Sequence, residues 1–166
     1  MPDRKTMERA AEDKREGKAP TTQAGEFVRE EMHHIREGKH GAQSTKQAIA
    51  IGLSKARRAG VKLPPPKEGT VSENTRESAK RAVAAGAHGP KPASPRRSRA
   101  ITAALKREGH TAASKSALAR QAKSAAQKRT AGARSAAARK AARTKGPSLR
   151  SAAARKAART RARSTG

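Results

Sequence analysis

The chain has 166 residues, of which 40 are lysine or arginine and 13 aspartate or glutamate, for a formal charge of +27. It has no cysteine, tryptophan or tyrosine and one phenylalanine. That excludes disulfides, cysteine-ligated zinc, and the aromatic stacking surfaces on which RRM, OB-fold and cold-shock domains hold bases. Thirty-eight of its hydrophobic residues are alanine, and Ile, Leu, Val, Phe and Met total seventeen, too few to build one core over the whole length.

Residues 1–21 read as a charged N-terminal helix over residues 3–16. Arg4/Glu8 and Arg9/Asp13 form i,i+4 pairs there with almost no apolar stripe, and Gly17 to Pro20 end it. Residues 22–63 read as a helical hairpin. In its first helix, 22–37, Ala24, Val28, Met32 and Ile35 recur at helical spacing with Phe27 beside them, and Gly38 caps the end. Ser44-Thr-Lys-Gln47 has capping-box spacing and opens the second helix, where Ala48, Ile49, Gly52, Leu53 and Ala56 form one stripe before Gly60. Phe27, Val28, Met32, Ile35, Ile49 and Leu53 form the expected interaction face. They are too many for a polar tether and too few to close a core of about forty residues, so a homodimer through the 22–63 hairpin is expected.

Leu63-Pro-Pro-Pro66 reads as a polyproline spacer. Residues 64–94 are Pro/Gly-rich linkers flanking a short helix that opens at Thr70-Val-Ser-Glu73 and ends at Gly86. A break follows at Gly86-Ala-His-Gly-Pro-Lys-Pro92. Residues 95–131 read as basic helices. The first starts at Ser94-Pro95 and carries Arg96, Arg97, Arg99, Lys106 and Arg107; the second carries Lys115, Arg120, Lys123, Lys128 and Arg129.

Residues 132–166 are an Arg/Ala repeat tail. An eleven-residue unit, Arg134-Ser-Ala-Ala-Ala-Arg139-Lys140-Ala-Ala-Arg143-Thr144, recurs without mismatch as Arg150-Ser-Ala-Ala-Ala-Arg155-Lys156-Ala-Ala-Arg159-Thr160. Lys145, Arg161 and Arg163 add to it. In each copy the Arg-Lys…Arg triplet covers an arc of about 100° on a helical wheel, which Arg134 does not keep to. Alanine favours a helix, yet like charges repel along it, so the tail is expected to be largely disordered until a polyanion neutralises it. The fold class expected is mainly α: a short helical hairpin, loosely connected helices and a disordered basic C-terminal tail.

Charge is distributed unevenly. Residues 91–166 hold 22 basic side chains and one acidic, Glu108; from Gly109 onward there are sixteen basic and none acidic. Such a segment gains by neutralising phosphates and releasing their counterions, which gives affinity without sequence preference. Base-reading side chains such as asparagine are almost absent from it, so nonspecific binding is expected. The basic residues named above, from Arg96 to Arg163, are the candidate nucleic-acid-binding set, with duplex DNA favoured and RNA the alternative partner. A third reading makes the hairpin a protein-interaction module with the tail as its electrostatic tether. The longest apolar run, Ala48 to Leu53, is too short to span a membrane, so no membrane partner is expected.

Ser94-Pro95-Arg96-Arg97 resembles the Ser-Pro-basic-basic element of linker-histone and sperm-histone tails. The tail as a whole is similar to the alanine/lysine-rich arms of linker histones and bacterial histone-like proteins, departing from them in its preference for arginine and its sparse proline. Gly38-Lys-His-Gly41 resembles the phosphate-binding loop of helix-hairpin-helix motifs, with two residues between the glycines where that motif has one. His33/Glu37 and Glu30/His34 are i,i+4 pairs near His40, with no third fixed ligand in view, so no metal site is expected. No nucleophile–base–orienter set is present, so no enzyme activity and no cofactor are expected.

The block GEFVREE…HIREGKHGA…STKQAIAIGLSKARRAG…PPP, within Thr22–Pro66, resembles a family of small bacterial proteins of unknown function. The resemblance covers roughly residues 1–86, and 98–129 more loosely. It implies a bacterial, cytoplasmic origin and no mechanism. Together with the tail it sets the expectation of a cytoplasmic, nucleoid-associated protein.

Overall fold

The computed structural model describes residues 2–89 and 94–164. The break expected at Gly86–Pro92 therefore lies partly outside the described residues. These residues form seven α-helices, one 3-10 turn and no strand. The helices are α1 (Arg4–Arg15), α2 (Pro20–Arg36), α3 (Thr45–Arg58), α4 (Glu73–Ala87), α5 (Pro95–Lys106), α6 (Lys115–Gln127) and α7 (Ala131–Ser164), with the 3-10 turn at Thr111–Ala113. The chain is mainly α, as its composition and periodicity imply.

Local signals set the ends of the helices. Ser44 Oγ accepts the Gln47 amide at 3.2 Å, and Gln47 Oε1 accepts the amide of Gln43 at 2.7 Å. The cap is reciprocal, with its second half one residue earlier than the usual capping box. Ser72, not Thr70, caps α4 and accepts the Thr75 amide at 3.4 Å. Gly38 and Gly60 close α2 and α3 in Schellman geometry, with Lys39 N–H on the His34 carbonyl and Val61 N–H on that of Ala56.

The chain divides into two compact units, Met1–Gln121 and Ala122–Gly166. In the first, α2 packs against α1 and α3, and α4 lies on α3. Two apolar clusters fill it. One joins Ala10, Ala24, Phe27, Ala56 and Leu63; the other joins Met32, Ile35, Ala42, Ala48, Ala112 and Ala113. Most of these residues are alanine, so the core depends on close approach more than on bulk. Gly52 shows this between helices: a Cβ there would come within 2.7 Å of the Val28 Cα on the facing helix.

The second cluster is completed by a segment that the sequence reading placed among separate basic helices. Thr45 Oγ1 donates to the Ala112 carbonyl at 2.7 Å and Arg36 Nε to that of Ala113 at 2.8 Å. Gly41 N–H donates to the Leu105 carbonyl at 2.8 Å, and Leu118 packs on the same cluster. Residues 105–118 thus close the unit that α2 and α3 begin.

The expected interaction face turns inward. Phe27 and Ile35 are completely buried and Met32 nearly so, while Val28, Ile49 and Leu53 are partly buried against the same two clusters. Phe27 and Leu53 pack in the first cluster, and Val28, Met32, Ile35 and Ile49 in the second. The proline segment is also more than a spacer. Leu63 is buried, and the guanidinium of Arg57, itself buried, donates to the carbonyls of Leu63 and Pro64 at 3.3 and 3.1 Å. Burial lowers the Arg57 pKa.

In the second unit the structure corrects the expectation of a largely disordered tail. Residues 131–164 are helical, with one interruption at Gly146 (φ 67°, ψ 169°) followed by Pro147. Alanine, arginine and lysine all rank among the better helix formers, and their summed preference outweighs the like-charge i,i+4 pairs such as Arg139/Arg143 and Arg155/Arg159. Propensity therefore prevails over repulsion, and no polyanion is needed for the helical geometry.

Candidate nucleic-acid interface

Thr130 begins the tail helix: its Oγ1 accepts the Ala133 amide at 3.2 Å and its carbonyl the Arg134 amide at 3.0 Å. The sequence repeat is also a structural repeat. Thr144 Oγ1 donates to the Lys140 carbonyl at 3.0 Å, and its counterpart Thr160 donates to that of Lys156 at 3.0 Å. Gly146 ends the first copy in the left-handed region, and Pro147 starts the second at a position where a proline lacks nothing a helix needs. Ser151 Oγ donates to the Pro147 carbonyl at 3.0 Å and stabilises that first turn.

The basic arc forms as the helical wheel requires. Arg155, Lys156, Arg159 and Arg163 line one shallow open groove with Ala152 and Thr160. In the first copy Arg139, Lys140 and Arg143 hold the equivalent positions, and Arg134 stands apart, its guanidinium donating to the Arg129 carbonyl at 2.8 Å. Lys123, Lys128, Arg129, Lys145, Arg150 and Arg161 are exposed on the same unit, as are all the tail cations above. In the first unit Arg96, Arg97, Arg99, Lys106, Arg107, Lys115 and Arg120 are exposed as well. Every basic residue singled out from the sequence therefore reaches solvent.

A helical stretch the length of residues 131–145 is about 22 Å long. Over that distance duplex DNA presents about thirteen phosphates. The five cations in this stretch, from Arg134 to Lys145, thus have more than enough partners without crowding. From Lys128 onward there is no Asn, Gln, Asp or Glu to read a base edge by paired hydrogen bonds.

Two other motifs resolve differently. The Gly38–Gly41 loop cannot cradle a phosphate as a helix-hairpin-helix loop does, because the amides of Gly41 and Ala42 are taken by the carbonyls of Leu105 and Gly109. Ser94 stands at the N-cap of α5 with Pro95 at the first helical position, and its side chain makes no capping bond.

A polar cluster joins α2 to α3, to the connector between them and to Asp3 ahead of α1. Glu31, His34 and His40 bring ligand-type atoms within 4.8 Å of one another, as do Asp3, Glu30 and His34. Lys55 Nζ sits 2.6 Å from Glu31 Oε2. The sequence reading found His34 and His40 but not Glu31, Asp3 or Lys55. Glu31 falls at i,i+4 spacing between Phe27 and Ile35, a signal in the sequence for its burial, whereas Asp3 and Lys55 are brought in from other helices or ends. The Asp3 carboxyl is held below its ordinary value, chiefly by its hydrogen bond with His34.

Residues 20–67 match the model described as a Family of unknown function (DUF6496). The stretch holds α2, α3 and the whole proline segment, including Glu31, His34, His40 and Lys55, and it stops short of the basic half. No curated protein and no solved structure matches the chain. Among the described residues no helix is long and apolar enough to cross a membrane.

Proposed function

We propose that the chain is a nonspecific duplex nucleic-acid-binding protein of histone-like, nucleoid-associated type, with duplex DNA as its main partner. The observation that carries this reading is the run from Gly109 to Gly166: sixteen basic residues, no acidic one, and every described cation among them exposed. Binding proceeds by phosphate neutralisation and counterion release, with the two arcs of α7 as the principal contacts and the cations of α5 and α6 adding to them. Neutralised duplexes repel one another less, which gives compaction as the consequence of coating. The helical state of α7 supports the reading further, since cations already arrayed on one side lose less conformational freedom on binding.

The test is fluorescence anisotropy of labelled duplex DNA and of duplex RNA of the same sequence, with and without Arg155→Gln, Lys156→Gln, Arg159→Gln and Arg163→Gln combined. Binding that is independent of DNA sequence, falls steeply with salt and is weakened by the four substitutions is the expected result. Tighter binding to the RNA would move the protein to the RNA- or ribosome-associated class. Absence of binding to either would leave the tail as a tether for a protein module.

A further inference from the structure

We propose that Glu31, His34 and His40 form a binding site for a divalent transition-metal ion, zinc by preference, inside the first unit. The ligand set is two imidazoles and one carboxylate, with the fourth position open to water. Three features of the cluster call for a cation there.

The first is a buried carboxylate without a hydrogen bond. Glu31 is completely buried, and neither carboxylate oxygen has a hydrogen-bond partner. The Lys55 ammonium pairs with Oε2 at 2.6 Å, outside hydrogen-bond direction, and Oε1 faces the imidazole of His40. The second is the fixed tautomer of that imidazole. His40 Nδ1 lies 3.0 Å from the Gly41 carbonyl, to which it must donate, so in the neutral ring Nε2 is the nitrogen with a lone pair. Nε2 stands 3.4 Å from Glu31 Oε1, so two electron pairs face each other unless a proton or a metal ion lies between. In a tetrahedral site with bonds of about 2.0–2.1 Å, ligand atoms stand about 3.3 Å apart, so this pair already has the spacing zinc requires.

The third is charge balance. Asp3, Glu30 and Glu31 bring three carboxylates around the two imidazoles, and Lys55 offsets one. Two of these carboxylates, Glu30 and Glu31, are buried and Lys55 compensates only one, so the cluster favours a further cation when both histidines are neutral. The surrounding oxygens suit that role. Asp3 Oδ2 holds His34 at 3.3 Å, as carboxylates hold metal-bound imidazoles elsewhere, and Asp3 is itself tied by its amide to Glu30 Oε1 at 3.2 Å. A bound ion would join α2 to the connector before α3 and, through Asp3, to the chain ahead of α1.

Full-length, tag-free protein is stripped with chelator and titrated with Zn²⁺ alone by calorimetry, while the histidine ring nitrogens are followed by NMR. One saturable equivalent is expected, with large shifts at His34 and His40 and none at His33, His88 or His110. His40→Ala and Glu31→Gln should each weaken binding by more than about tenfold, and His33→Ala should leave it unchanged. The ring-nitrogen shifts of the wild-type protein decide the matter if either ligand variant fails to fold. No saturable binding, shifts at His33 in place of His34, or equal losses for His33→Ala and His40→Ala would overturn the site.

Discussion

The carboxylate of Glu31 and the ammonium of Lys55 meet 2.6 Å apart between α2 and α3, the first completely buried and the second mostly so. Breaking a buried pair by removing one partner leaves the other charge without compensation. Lys55→Met should therefore lower the stability of the metal-free protein by about 3–5 kcal/mol. Adding Glu31→Gln should recover part of that loss. Urea unfolding of the two single variants and the double variant, in chelator at neutral pH, measures the coupling.

Gly52→Ala tests the close helix crossing. On a free helix alanine is favoured over glycine by about 1 kcal/mol. Here the added methyl would lie 2.7 Å from the Val28 Cα and 3.0 Å from its Cγ2, and the first of these is backbone. The helices must separate, so a net loss of about 1–3 kcal/mol is expected, read as a lower melting temperature. Gly25→Ala, on α2 with open space around its Cα, serves as the control and should not destabilise.

The fold places the boundary for a tail deletion at Gln121, since Ala112, Ala113 and Leu118 belong to the first unit. Ending the chain there removes fourteen basic residues and no acidic one. With about six to ten phosphate contacts, full-length affinity for duplex DNA should fall about 10³- to 10⁵-fold between about 50 and 200 mM salt. Residues 1–121 should show a much shallower slope and still melt cooperatively. Equal slopes would move the interface off α7.

Acid should weaken the fold through exposed pairs. Lys39 holds the Glu37 carboxyl below its ordinary value of 4.5, and Lys80 does the same for Glu77. A carboxyl with a lowered folded pKa contributes stability above its ordinary value and loses it as pH falls through the folded one. Stability should thus decline as pH drops below about 4.5. Glu77→Gln should flatten that decline slightly, as thermal melts across pH 3–6 would register.

Helices and their ends were legible in the chain because their signals are local: the spacing of Val28, Met32 and Ile35, the Ser44 cap, the glycines at 38 and 60. What lay hidden was the contribution of small residues. Ala112 and Ala113 carry no periodic apolar signal, yet their size lets a 3-10 turn seat between α2 and α3. In the tail the propensity of the alanines outweighs the repulsion of the cations between them, a balance that charge counting alone does not show. Glu31 was legible by its place, four residues from Phe27 and from Ile35 on the buried stripe, but its charge argues for solvent, and the fold resolves the conflict by setting Lys55 and His40 against it.

The joint at Gly146–Pro147 divides α7 into interchangeable links, each with its own start, its own cation arc and its own Thr-to-carbonyl bond. A chain assembled this way can be lengthened or shortened by whole links without disturbing the packed part ahead of it. Grip on a polyanion would then change in steps with the number of links, as a ladder's reach changes with its rungs.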